Sequence, residues 1–64
     1  SINSAVLQEH HVGKGSPLAG RPLREAPSGM PLVVAVLRGQ EVIIPRGDTI
    51  PREGDTLVVY KGSE

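Results

Sequence analysis

The side chains of this chain that could do chemistry lie at isolated places, beginning with His10 and His11. Two adjacent histidines suggest metal binding, but neighbours in a strand point to opposite faces and cannot chelate one ion together. Glu9 and His11 would share a face, which leaves a weak ion site at an interface as an alternative. We prefer solvated strand positions for these residues, and we predict no protein metal site and no cofactor.

Catalytic groups are not apparent elsewhere in the sequence. The segment Gly13-Lys14-Gly15-Ser16 lacks the earlier glycine and the Ser or Thr after Lys that a phosphate-binding loop needs, so we predict an ordinary loop. Asp48 and Asp55 each follow a glycine, where aspartate commonly hydrogen-bonds nearby backbone. There is no Ser, His and Asp arrangement at plausible spacing, and no polar residue lies in a segment that looks buried. We predict that the chain is not an enzyme.

Arg38 is the most promising binding residue, because it ends an apolar run at a predicted hairpin. A guanidinium there could contact a phosphate or a planar base near a dimer cleft. The alternative is a cross-strand pair with Glu41, worth less than ~1 kcal/mol if exposed. The residues alone leave both possibilities open.

Length and composition favour a small domain that needs a partner. A chain of 64 residues buries only a modest core, and this one has no cysteine and a single aromatic residue, Tyr60. We therefore predict a homodimer. The formal net charge of zero argues against direct nucleic-acid binding. The longest apolar run is far too short to span a bilayer and no signal peptide is recognisable, so we expect a cytoplasmic domain.

The elements expected to position these residues form an antiparallel sheet. We predict strands over residues 5–12, 31–38 and 56–60, together with a short strand that pairs with 31–38 through a turn at Gly39-Gln40. The predicted register pairs Arg38 with Glu41, Leu37 with Val42, Val36 with Ile43 and Ala35 with Ile44.

Proline and glycine set the remaining boundaries. One or two helical turns are predicted over residues 22–26, and residues 46–55 are predicted to form a loop that could include a helical turn capped by Asp48. The fold class is α+β, a small antiparallel sheet with one short helix in β-α-β-β-β order. One helix covers only one sheet face, so a symmetric dimeric sandwich is expected to bury the other. Residues 1–4 are expected to be a linker or a cloning remnant, followed by one domain over residues 5–64.

Several motifs occur together in a family-like order. They are Gly15-Ser-Pro-Leu-Ala-Gly-Arg-Pro-Leu-Arg-Glu25, Arg38-Gly39, Pro45-x-Gly47-Asp48-Thr49 and Gly54-Asp55-x-Leu57-x-Val59. Over about residues 6 to 62 the chain resembles the RCK C-terminal domain, also called the TrkA C-terminal domain. That family comprises ligand-sensing cytosolic modules of potassium channels and uptake systems, of several antiporters and of some transcription regulators.

The resemblance also implies a ligand and a site. In family members that bind cyclic di-AMP, one nucleotide lies across the two-fold axis of the dimer. Carried over to this sequence, Leu32 and Val33 would form an apolar wall, Arg38 would supply the cation, and Ile44 and Pro45 would lie on the opposite strand. Binding members can carry asparagine where this chain has Ile44, and loss of such a polar contact costs roughly 1–3 kcal/mol.

We therefore predict a cytosolic regulatory domain of a potassium or cation transport system, associated with the membrane through a transmembrane transport subunit. It would bind a small effector, cyclic di-AMP or an ion, at a homodimer interface. Two alternatives remain open, a purely structural dimerisation module and the effector domain of a transcription regulator.

Overall fold

The computed structural model describes residues 5–63, with side chains described for residues 6–61. The predicted linker at residues 1–4 lies outside the described residues. Four strands and one 3₁₀ turn are present in this part of the chain: β1 Ala5–His11, the 3₁₀ turn Leu23–Glu25, β2 Leu32–Arg38, β3 Glu41–Ile43 and β4 Thr56–Ser63. They form one antiparallel sheet in the order β1-β4-β2-β3. The predicted strands and their order are confirmed, with β4 extending past residue 60.

The β2–β3 hairpin has the predicted turn and most of the predicted register. Arg38 pairs with Glu41, and the next two predicted pairs towards Ile43 also form. Gly39 has φ +60, a conformation that favours glycine in a tight turn. The predicted pair of Ala35 with Ile44 is wrong, because β3 ends at Ile43. Pro45 follows two residues later and has no N–H group to continue the ladder.

The predicted helix is reduced to a single 3₁₀ turn over Leu23–Glu25. Ala26 is already extended, with φ -63 and ψ 150, and Pro27 disfavours helical backbone in the residue before it. The α+β description was therefore wrong in its helical part. Within the described residues the molecule is a four-stranded sheet with irregular segments packed on one face.

One face of the sheet carries the core. Val12, Val36, Leu57 and Val59 are buried there. The register aligns Val36 with Leu57 across β2 and β4, which places both side chains on the same face. Partly buried apolar side chains pack around this cluster from the strands and from the irregular segments: Leu18, Ala19, Met30, Val33 and Ile43. The irregular segments thus bury the face that the predicted helix was expected to cover.

The opposite face is uncovered and carries a row of exposed apolar side chains. Leu7, Tyr60 and Leu32 lie side by side on β1, β4 and β2, and we call them the open-face row. Their exposed fractions are 59%, 39% and 69%. Val42, also on this face by its register with Leu37, is 62% exposed. The sequence analysis predicts that a second copy of the chain packs on this face. The structure contains a single chain, so the dimeric sandwich stays a prediction.

No helix among residues 5–63 has the length and apolar character needed to cross a bilayer.

Candidate functional site

A cleft opens beside the first half of β2, where β2 extends beyond its pairing with β3. Its volume is about 380 Å³. Leu32, Val33 and Pro45, all predicted ligand contacts, line it together. The structure therefore places three of the predicted site residues around one cavity.

The base of the cleft is held by backbone hydrogen bonds between the 3₁₀ turn and the loop after β3. The N–H of Leu23 donates to the carbonyl oxygen of Thr49 at 2.9 Å, and the N–H of Arg24 donates to that of Gly47 at 2.9 Å. A Cβ atom added at Gly47 would lie 3.6 Å from the Cβ of Arg24, in ordinary van der Waals contact. The two walls thus approach each other closely at Arg24 and Gly47.

Ile44 and Arg38, the other predicted contacts, do not line this cleft. Ile44 follows β3 and is 70% exposed. Arg38 lies at the far end of β2, where its guanidinium is paired with a carboxylate.

Arg38 and Asp55 form a bidentate ion pair. Arg38 Nε donates to Asp55 Oδ1 at 2.9 Å, and Arg38 Nη2 donates to Oδ2 at 2.8 Å. Nη2 also donates to the carbonyl oxygen of Ile50 at 3.2 Å. Asp55 is only 1% exposed, and its Oδ2 accepts a further hydrogen bond from the backbone N–H of Arg52 at 2.8 Å. The pair joins the end of the hairpin to the loop before β4.

The electrostatics of this pair stabilise both charged forms. The hydrogen bonds from Arg38 lower the pKa of Asp55, against the opposing effect of burial, and the N–H of Arg52 and the nearby positive charges add to the lowering. The same hydrogen bonds, donated by Arg38 to Asp55, raise the pKa of Arg38. Asp55 is therefore a buried, charged carboxylate that accepts hydrogen bonds at both oxygens.

This pair corrects two expectations from the sequence. The salt bridge of Arg38 is made with Asp55, whereas Glu41 is only its neighbour across the hairpin. The expectation that no polar residue would be buried was also wrong, because Asp55 is buried. The predicted structural role for Asp55, hydrogen bonding to local backbone, is confirmed by its contact with Arg52.

The two segments that begin with Pro45-Arg46 and Pro51-Arg52, both before β4, form similar turns. In the first, the N–H of Thr49 donates to the carbonyl of Arg46, and Thr49 Oγ1 accepts from the N–H of Arg46 at 2.8 Å. In the second, Asp55 and Arg52 make the same two contacts. The segments therefore correspond when aligned on Pro-Arg, so that Asp55 corresponds to Thr49 and not to Asp48.

Asp48 has a different environment from Asp55. It is exposed, and among the described residues it makes no side-chain hydrogen bond and caps no helix. Its predicted contact with local backbone is absent there. Alignment on the Pro-Arg dipeptides would have distinguished the two aspartates from sequence.

The adjacent histidines face opposite sides of the sheet, as predicted. His10 lies across from buried Leu57 and His11 across from Thr56. His11 Nδ1 is 3.3 Å from Thr56 Oγ1. Among the described residues, His, Asp and Glu side chains form no group of three or more that could hold a metal ion.

Comparison with known proteins is consistent with this architecture. The TrkA-C domain family profile matches residues 7–63. A curated relative, "Trk system potassium uptake protein TrkA homolog 1" of Methanosarcina mazei, is 41% identical over 58 residues, or 88% of this chain. The chain spans only 13% of that relative's length.

A solved structure has the same fold. It is described as "Structure of RCK domain with cda", and it superposes with a TM-score of 0.74 at 32% sequence identity. The superposition covers 91% of this chain and 81% of that one.

Proposed function

Because this chain belongs to the TrkA-C domain family, we propose that it is the effector-sensing domain of a potassium or other cation transport system. The family is regulatory and non-catalytic. The similarity to a Trk potassium uptake protein supports the transport assignment. In this proposal the domain lies in the cytoplasm and acts on a transmembrane transport subunit of the same system, without contacting nucleic acid.

The proposed effector is cyclic di-AMP, the compound we take "cda" to denote in the similar RCK domain structure. Leu32, Val33 and Pro45 would contact the purine, since apolar walls with a few polar groups are typical of small-molecule sites. Ile44 would contribute from outside the cleft, across the dimer interface, whereas Arg38 is left out of the proposed contacts because its guanidinium is paired with Asp55. Ile44 can pack against a base but cannot hydrogen-bond to its edge.

The proposed dimer forms through the open-face row. Leu7, Tyr60 and Leu32 expose adjacent apolar side chains, and such patches mark interaction surfaces in small soluble domains. Two sheets packed on this face would form the expected sandwich. The interface would be isologous, with the same residues from each copy.

The position of Leu32 is the observation that carries this proposal. Leu32 lines the cleft and also belongs to the open-face row, so one side chain would contact both the effector and the second copy. A ligand can shift a dimer between arrangements only if it binds one of them more tightly. Contact of Leu32 with both the effector and the second copy would give the ligand such a preference.

The test is titration of the chain with cyclic di-AMP by calorimetry, with the molar mass measured by light scattering in the same buffer. We expect a dimer that binds one nucleotide per two chains. An intact dimer that gives no binding heat would refute cyclic di-AMP as the effector, and a monomer at all accessible concentrations would refute the interface.

A matched pair of variants compares two exposed residues on the open face, one of which also lines the cleft. Leu32→Ser and Val42→Ser remove exposed apolar side chains from the same sheet face, but only Leu32 of these two lines the cleft. We expect Leu32→Ser to weaken effector binding more than Val42→Ser. Arg38→Ala would be a poor test, because it leaves the buried carboxylate of Asp55 without its partner.

A further inference from the structure

The cleft beside β2 contains two positively charged side chains that the sequence did not single out. Arg24 comes from the 3₁₀ turn and Arg46 from the loop after β3, and both line the cavity. No acidic residue is among the described residues that line it. The cleft is therefore locally positive although the chain has no net charge.

Both guanidinium groups are available to a ligand. Arg24 and Arg46 are exposed, and within residues 6–61 neither guanidinium makes a hydrogen bond or salt bridge. Arg38 differs, because two of its nitrogens are already bonded to Asp55. An incoming phosphate would have to compete with a buried carboxylate for Arg38, whereas it would displace only water from the other two.

The backbone holds these two arginines close to one another. The N–H of Arg24 donates to the carbonyl of Gly47, the residue that follows Arg46. The N–H of Arg46 is fixed by Thr49 Oγ1 at 2.8 Å. Two backbone segments held in this way present both arginine side chains to one cavity. Such an arrangement suits a ligand group with several acceptor oxygens.

The rest of the cleft suits a planar base. Pro27, Met30, Pro31 and Leu32 give it apolar walls. Its volume of about 380 Å³ falls within the usual range for small-molecule sites. Two neighbouring clefts of about 320 and 410 Å³ each contain a carboxylate, Glu25 in one and Glu9 in the other, and are less suited to an anion.

We propose that Arg24 and Arg46 bind the phosphate of the nucleotide effector, with its base against Pro27, Met30, Pro31 and Leu32. This inference rests on the proposed effector-sensing function and deepens it. It assigns the main phosphate contacts to the cleft and makes Arg38 a residue that positions the loop before β4.

The experiment is titration of the chain with cyclic di-AMP at low and moderate salt, followed by calorimetry and by amide NMR shifts. The test variant is Arg24→Gln combined with Arg46→Gln, which keeps much of each aliphatic stem. Arg21→Gln is the matched control, since Arg21 is exposed and lines a different cleft. Circular dichroism of each variant establishes that the sheet is intact.

We expect the double variant to bind roughly tenfold more weakly or worse, because each charged guanidinium would make charge-assisted hydrogen bonds to phosphate. Its affinity should also depend less on salt than that of the unmodified chain. Arg21→Gln should bind like the unmodified chain, and the NMR shifts should concentrate at residues 23–33 and 45–47.

The two possible failures have different signatures. If the unmodified chain binds cyclic di-AMP and the folded double variant binds equally well, the assignment of Arg24 and Arg46 is refuted while the effector proposal stands. If the unmodified chain does not bind cyclic di-AMP, both proposals are refuted together.

Discussion

Replacement of Asp55 by asparagine tests whether the ion pair with Arg38 stabilises the fold. Asp55 is 1% exposed and accepts three hydrogen bonds, two from Arg38 and one from the N–H of Arg52. Asparagine has nearly the same shape but carries no charge and has only one acceptor oxygen. Its amide NH₂ would face a donor, and at least one of the three hydrogen bonds must be lost.

The expected cost follows from these contacts. A hydrogen bond to a charged group contributes about 1.5–3 kcal/mol, and the loss of one such bond together with weakening of another sets the upper range. Arg38 is 27% exposed and can regain water, which reduces the penalty of leaving it unpaired. We expect Asp55→Asn to lower the free energy of unfolding by about 2–3 kcal/mol. A domain of this size has only ~3–10 kcal/mol in total.

Urea and thermal denaturation at one fixed protein concentration measure this loss, since dimerisation makes stability depend on concentration. The melting temperature should fall by roughly 8–24 °C. Asp48→Asn is the matched control, because Asp48 also follows a glycine and precedes a threonine but is exposed. Equal melting temperatures for the two variants would refute the stabilising role of the pair.

Three other perturbations should have distinct outcomes. Folding lowers the pKa of Asp55, so the stability that this carboxylate contributes is complete above the ordinary carboxyl pKa near ~4 and is lost as the pH falls through and below that value. Acid denaturation should therefore be less steep in Asp55→Asn. Gly54→Ala should lower the free energy of unfolding by about 1–2 kcal/mol in chemical denaturation, because Gly54 has φ +94. Gly13→Ala is the control, since Gly13 has open space and no positive φ, and it should lower stability by less than about 1 kcal/mol or increase it. Equal effects of the two variants would contradict the backbone argument. Leu7→Glu should shift the dimer towards monomer in light scattering, while Gln8→Glu, which adds the same charge on the other face, should not; an unchanged dimer in Leu7→Glu would exclude the open-face row as its interface.

The strands were predictable because their signals are local. The β-branched run of β2 and the turn at Gly39-Gln40 determine the hairpin, and its register follows from the turn length. The prediction of one or two helical turns at residues 22–26 was confirmed only as a single 3₁₀ turn, for an equally local reason, since Pro27 disfavours helical backbone at Ala26. Weighting that proline more heavily would have reduced the helix to a turn.

The candidate site was less predictable because its contacts join distant segments. Arg38 and Asp55 are 17 residues apart, and no local sequence pattern indicates that their side chains are in contact. Arg24 and Arg46 enter one cleft only because the 3₁₀ turn docks on the loop after β3 through backbone hydrogen bonds. Leu32, Val33 and Pro45 came from family resemblance, and the structure places them together without testing their binding role.

The position of β4 in the sheet has a consequence for how the domain folds. β4 follows the other strands in the chain but lies inside the sheet, between β1 and β2. The β2–β3 hairpin can form early, whereas β1 has no partner until β4 arrives after a long loop closure. Such non-local pairing slows folding to the millisecond-to-second range. During translation, β1 would stay unpaired, with an exposed edge, until β4 had emerged from the ribosome. Synthesis of β4 would therefore set the time of sheet assembly.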